Sequence, residues 1–282
     1  MNAGSPPAQA LKQASPTDRG IRVVRSPDDL LSAPVAADEL RHRAVLVKSS
    51  AVADRDTLEA VQTALPWMDV WRDHRSYVTG VWRCEVDGAL ERPDYTAYRP
   101  RTLDFHTDMS RYLRPPEFTV IRCVVPDAEG GDNLVLHIDD ILTRLRGLGR
   151  DDIVDMLVAE RPLSMEPRHY NHGRVAVGTP VTAALVVPEA ADAPCRIYDR
   201  HGASKGDHLA LSQEEERLFD EFFAYCRGQE DLAERVRLEA GDILAFSNWR
   251  FMHARLECSG SGRVTEICMG NDDRLPTEGD SA

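Results

Sequence analysis

His106, Asp108 and, far downstream, His253 and Arg263 are the residues whose types and spacing could do chemistry. Two imidazoles and one carboxylate can hold an iron(II) ion on one face and leave the opposite face open. The planar fork of an arginine ten residues past the second histidine can grip a carboxylate with two parallel hydrogen bonds. Asn133 is a second polar group that could reach the same carboxylate. Such a set suits an oxygen-activating centre with an acidic co-substrate. The three-letter pattern alone proves little. With 9 His and 47 acidic residues in 282, about 1.5 His-x-Asp/Glu matches are expected by chance. A second one occurs at His137-Ile138-Asp139, behind a Gly-Gly turn, where Asp139 suits a helix cap.

The elements that must position these groups are short. Residues i and i+2 of a strand point to one side, so a strand carrying His106 and Asp108 would let both reach one metal. The third ligand must then come from another strand. Phe118–Val125 is β-branched and strand-like. Gly130-Gly131 turns the chain into a strand over Asn133–Ile138. Helical spacing of Ile141, Leu142, Leu145 and Leu148 predicts a helix over 139–148, ended by Gly149, and a second helix over 151–158. Asp56 opens a helix with Leu58, Val61 and Leu65 on its inner face, stopped by Pro66. Ser212 and Glu215 form a capping box ahead of a helix burying Leu218, Phe219, Phe222 and Cys226. Strands are expected over 235–238, 243–246 and 263–269, with His253 just after the second. Thr265 and Ile267 should share the side of Arg263. Many short strands with helices outside predict a mainly β fold with flanking helices.

The chain has 282 residues, 42% hydrophobic and 29% charged, as expected for a globular protein with a sizeable core. It lacks repeats and an apparent linker, so one domain is expected over 21–272. Tails are expected at 1–20 and 273–282. The start has no basic stretch followed by an apolar one, unlike a secretory signal. No apolar run reaches the roughly 18 residues of a membrane span. A net charge of -13 argues against a nucleic-acid partner. The six cysteines are scattered, without Cys-x-x-Cys, which suits a reducing cytoplasm. Nothing resembling a nucleophile motif surrounds Cys195 or Cys123, the two cysteines that could pair with His201. Oligomeric state is not legible.

Taken in order, the segments resemble the iron(II)/2-oxoglutarate-dependent oxygenases, in the branch of taurine dioxygenase and clavaminate synthase. Phe105-His106-Thr107-Asp108 precedes Pro115-Pro116, Val125-Pro126 and Gly130-Gly131-Asp132-Asn133. Gly241-Asp242 leads to Asn248-Trp249-Arg250, His253-Ala254-Arg255 and Arg263. The resemblance spans roughly residues 40–272. It implies a double-stranded β-helix (jelly-roll) core, with His106, Asp108 and His253 as iron ligands. It also implies 2-oxoglutarate as co-substrate, held by Arg263 with help from Asn133, and O2 as oxidant. Succinate and CO2 would leave, and a small amino-acid-derived or natural-product substrate would be hydroxylated, desaturated or cyclised. Asn133 stands where the family usually has threonine. Ile267 stands where taurine-type members carry a second arginine, which disfavours a taurine-like sulfonate. Asp108 fills the position that halogenating members leave small. Arg111 and Arg114 after the metal pair, Arg101 before it, Arg200 in the middle and Ile267 are candidates for substrate contact. The alternative is a non-catalytic jelly-roll ligand-binding protein with a vestigial metal site.

Overall fold

Side chains on β6 (Phe118–Val125) divide by parity. Phe118 and Val120 join one apolar cluster, while Ile121 and Cys123 join another. Its antiparallel neighbour β11 (Ile243–Ser247) does the same, with Ile243 and Ala245 on one face and Leu244 and Phe246 on the other. A strand whose two faces are both apolar must be covered on both sides. That requirement generates the layers of this fold.

The computed structural model describes residues 20–52, 55–72, 79–87, 96–110, 112, 115–165, 179–190, 193–197, 211–229, 231–260 and 262–272. A seven-stranded sheet runs in the order β1 (Arg22–Val24), β2 (Val45–Val47), β11, β6, β13 (Val264–Asp272), β3 (Met68–Val70), with β4 (Trp82–Glu85) also paired to β13. All its pairings are antiparallel except β1 with β2. A four-stranded antiparallel sheet has the order β10 (Glu234–Val236), β7 (Asn133–His137), β12 (Phe251–Arg255), β5 (Leu103–His106). The strands β8 (Arg161–Met165) and β9 (Thr179–Ala183) form a separate hairpin.

The two large sheets face each other across Ile121, Leu244 and Phe246 on one side and Val135, Val236 and Phe251 on the other. Phe246 is fully buried there, a contribution of about 2–3 kcal/mol for one such side chain. Behind the larger sheet pack α1 (Pro27–Ser32), α2 (Ala37–His42), α3 (Ser49–Val52) and α4 (Thr57–Ala64). Behind the smaller sheet pack α5 (Ile138–Gly147), α6 (Asp151–Val158) and α7 (Gln213–Arg227). This is the expected mainly β, double-stranded β-helix architecture with helices outside. Among the described residues no helix is long and apolar enough to cross a membrane.

Several elements depart from expectation. The α4 helix buries Thr57, Ala60, Val61 and Ala64, with Leu65 at its end, while Leu58 is half-buried. Thr57 turns inward because its hydroxyl bonds Glu266 on β13. His137, not Asp139, caps α5, accepting the Asp139 N–H at 3.3 Å. The expected tails lie outside the described residues, Gly20 apart.

Candidate metal centre

The smaller sheet places the two histidines by register. On β12, Phe251, His253 and Arg255 face the opposite sheet, while Met252 and Ala254 enter the helical core. His253 lies directly across from His106, the last residue of β5, and their rings are 4.2 Å apart. Asp108 falls beyond the end of β5, so the expected i, i+2 strand geometry does not place it. A loop does. The Asp108 N–H donates to Asn248 Oδ1 at 2.7 Å, and Asn248 Nδ2 donates to the Asp108 carbonyl at 2.9 Å and the Pro116 carbonyl at 3.0 Å. The next residue, Met109, takes a positive φ of 53°, a conformation uncommon outside glycine. Thr107, between the two ligand candidates, is fastened to Ile197, its N–H donating to the Ile197 carbonyl at 2.8 Å.

One nitrogen of each histidine and one Asp108 oxygen lie within 4.8 Å of one another. His106 Nε2 is 3.7 Å from Asp108 Oδ1, and His253 Nε2 is 3.6 Å from Asp108 Oδ2. His106 Nδ1 sits 2.8 Å from the Asp104 carbonyl, which can only accept. Nδ1 therefore carries the proton and Nε2 offers its lone pair. Burial pushes His253 down toward its neutral form. Burial opposes the charge on Asp108, but the imidazoles and the Thr119 hydroxyl, 3.0 Å from Oδ2, outweigh it and hold the carboxyl below its usual range. A neutral imidazole and an ionised carboxylate are the states a divalent metal needs. Two imidazole nitrogens and one carboxylate fit iron(II) with open positions.

The co-substrate end is built around a cation. Arg263, just ahead of β13, is buried, and among the described residues no carboxylate lies within ion-pairing distance of it. Its Nη2 reaches Asn133 Oδ1 at 3.5 Å, while the buried Asn133 Nδ2 has no partner among the described residues. A buried charge without a counter-ion is costly, so this end suits an incoming carboxylate. The Gly-Gly turn makes room for the Arg263 side chain. A Cβ on Gly131 would stand 3.0 Å from Arg263 Cδ, and Gly131 has φ +71°. A Cβ on Gly130 would stand 2.2 Å from the Glu257 carbonyl oxygen. Asp127 ties the turn by accepting from the N–H groups of Glu129, Gly130 and Ser259. Arg235 and Arg237 pair with Asp132 at 2.7 and 3.2 Å.

Of the substrate-contact candidates, Arg111, Arg114 and Arg200 lie outside the described residues, as does His201. Arg101 is exposed, and its carbonyl accepts from Arg255 at 2.6 Å. Ile267 faces the inter-sheet cluster and packs toward Trp71, Tyr112 and Met269. Thr119 is not among the residues the sequence singles out, although a hydroxyl inside an apolar strand is its signal. Cys195 and Cys123 are pushed up by burial to about 12 and about 11, away from the thiolate a nucleophile requires.

The sequence matches the family described as taurine catabolism dioxygenase TauD, TfdA family, over residues 12–269. The chain therefore belongs to that family and is an iron(II)/2-oxoglutarate-dependent dioxygenase, an oxidoreductase that uses O2. Solved structures similar to it include an asparagine oxygenase in complex with Fe(II), 2S,3S-3-hydroxyasparagine and succinate. That match has a TM-score of 0.56 and 15% identity, covering 80% of this chain and 73% of that one. A taurine dioxygenase from Burkholderia xenovorans matches with a TM-score of 0.55 and 17% identity, covering 91% and 86%. The non-heme iron oxygenase OrfP, in complex with (3S)-hydroxy-L-Arg, matches with a TM-score of 0.54 and 14% identity, covering 88% and 80%. At these identities the likeness is one of fold. A comparison with curated proteins gives no match.

Proposed function

We propose that His106, Asp108 and His253 hold the iron, that Arg263 and Asn133 receive the far carboxylate of 2-oxoglutarate, and that the substrate is a small amino-acid-derived or natural-product molecule. The observation that carries this reading is the pairing of two features on one inter-sheet face. Three ligand atoms converge at His253 of β12, and a buried guanidinium with no carboxylate partner among the described residues reaches Asn133, which lies across from Arg255 on the same strand. Bound iron, with 2-oxoglutarate and O2, supplies the oxidising chemistry that releases succinate and CO2 and removes a substrate hydrogen. The chain's residues do the rest. Asn248 fixes the backbone of Asp108, Thr119 orients its carboxylate, and Asp104 fixes the tautomer of His106. Apolar side chains of both sheets exclude water around the set.

The amino-acid class draws on the similar folds that bind hydroxyasparagine and hydroxyarginine. At position 267 an apolar side chain offers no charge to a sulfonate, which supports a substrate other than taurine. Residues 21–272 then form one catalytic domain working in the cytoplasm, without a nucleic-acid or membrane partner. The test is succinate formation with iron(II), ascorbate and 2-oxoglutarate across a panel of amino acids and their derivatives. Substrate-stimulated succinate from the wild type, absent from His106→Ala and Asp108→Ala, is the expected result. Undiminished succinate from either variant sinks the ligand assignment.

A further inference from the structure

Arg255 lies two residues past His253, on the same face of β12, and is buried. Its cross-strand partner is Asn133, the residue that touches Arg263. Directly opposed residues of an antiparallel pair bring their side chains together. The Arg255 guanidinium is spent on neutral oxygens. Nη1 donates to the Ala97 carbonyl at 2.8 Å, and Nη2 donates to the carbonyls of Arg99 and Arg101. Among the described residues its buried Nε has no partner, and no carboxylate is within ion-pairing distance.

The surroundings compensate its charge only weakly. Cys84 and Cys258 are close enough to interact with it electrostatically, and burial holds both as thiols. Asp127 is the nearby anion, but its carboxylate is occupied by three backbone N–H groups. The other neighbour is Arg263, itself a cation. Two buried guanidinium groups thus stand together at the co-substrate end.

We infer that Arg255 is a positioning residue with a charge role: without touching 2-oxoglutarate, it supplies the second positive charge that draws the far carboxylate onto Arg263, while its fork anchors segment 97–101 ahead of the metal-bearing strand β5. The inference rests on the proposed role of Arg263. It predicts that charge at position 255, and not only hydrogen bonding, sets 2-oxoglutarate affinity. A unit charge several ångströms away in a protein interior is worth about tenfold in binding.

The test is anaerobic titration of the Fe(II)-loaded protein with 2-oxoglutarate, with Fe(II) affinity and melting temperature as controls. Arg255→Lys should bind 2-oxoglutarate within about threefold of wild type at pH 7, and Arg255→Gln, which keeps donors for the carbonyls, about tenfold more weakly. Fe(II) affinity should not distinguish the two variants. Equal weakening in both variants, or an Arg255→Lys that melts as wild type does yet binds 2-oxoglutarate about tenfold more weakly, overturns the inference, whether or not Arg255→Gln folds. Failure of wild type to bind 2-oxoglutarate, or an Arg263→Gln variant that binds as wild type does, overturns the underlying reading instead.

Discussion

His106-Thr107-Asp108 and His137-Ile138-Asp139 share a three-letter pattern, a sheet and a position at the end of a strand, on either side of β12. They differ in what stands across from them. His106 opposes His253, whereas His137 opposes Phe251, whose ring lies edge-on 4.7 Å away. They differ again in the fate of the acid. Asp108 keeps its charge beside imidazoles and a hydroxyl, while Asp139 is neutralised by the buried Arg250 and accepts from the Glu189 N–H. One pattern is left with lone pairs pointing at a common centre. The other has its lone pairs consumed by a helix cap and an ion pair. A metal-ligand motif is therefore defined by its cross-strand neighbour and by the absence of a competing cation.

That contrast breaks most sharply at the acids. Asp108→Ala or His253→Ala should abolish Fe(II) binding and bring 2-oxoglutarate turnover to background. Asp139→Ala should leave Fe(II) binding intact yet lower stability by about 3 kcal/mol, because it strands Arg250. Fe(II) titration and denaturant melts separate the two, and iron loss in Asp139→Ala would end the distinction. Next in size is Arg263→Ala, expected to raise the KM for 2-oxoglutarate roughly thirtyfold, about 2 kcal/mol, with little change in Fe(II) affinity. Steady-state kinetics against a metal titration checks it. Thr119→Val and Asn248→Ala remove groups that hold Asp108, and each should weaken Fe(II) binding about tenfold. His137→Ala should cost about 1 kcal/mol through the lost cap and leave iron affinity unchanged, as read by melting and titration.

The smallest effect concerns acid. Burial works against the charge of Asp127, but its backbone N–H donors outweigh it and hold the carboxyl at about 2, below the ordinary 3.8. A depressed carboxylate contributes stability that is complete above the unfolded value and is lost as pH falls from about 3.8 through about 2. Asp127→Asn should flatten that part of the stability profile in equilibrium melts. A profile identical to wild type would show that the turn behind Arg263 is held by other bonds.

The ligand residues and the jelly-roll class were legible because type, order and spacing survive folding. The reason for convergence was not. Strand parity would put Asp108 on β5, but β5 stops at His106, and Asp108 is aimed by Asn248, which follows it by 140 positions. Strand β12 is hard to read because its polar residues, His253 and Arg255, are as buried as Phe251, Met252 and Ala254, so polarity does not mark an outward face. The helices α1 to α3 are four to six residues long and carry too few turns for a period. Arg101 is near the metal pair in sequence, but its side chain is exposed to solvent while its carbonyl accepts from Arg255.

The middle position of β12 has a consequence for how this protein can change. Its neighbours supply His106 on one side and Asn133 on the other, so one strand aligns the iron end with the 2-oxoglutarate end. A shift of one residue along it would turn Met252 and Ala254 inward and bury His253 against the outer helices. Insertions or deletions in the Asn248–Arg250 turn are therefore closed to evolution and to engineering alike, while loops that do not feed β12 stay open to change in length.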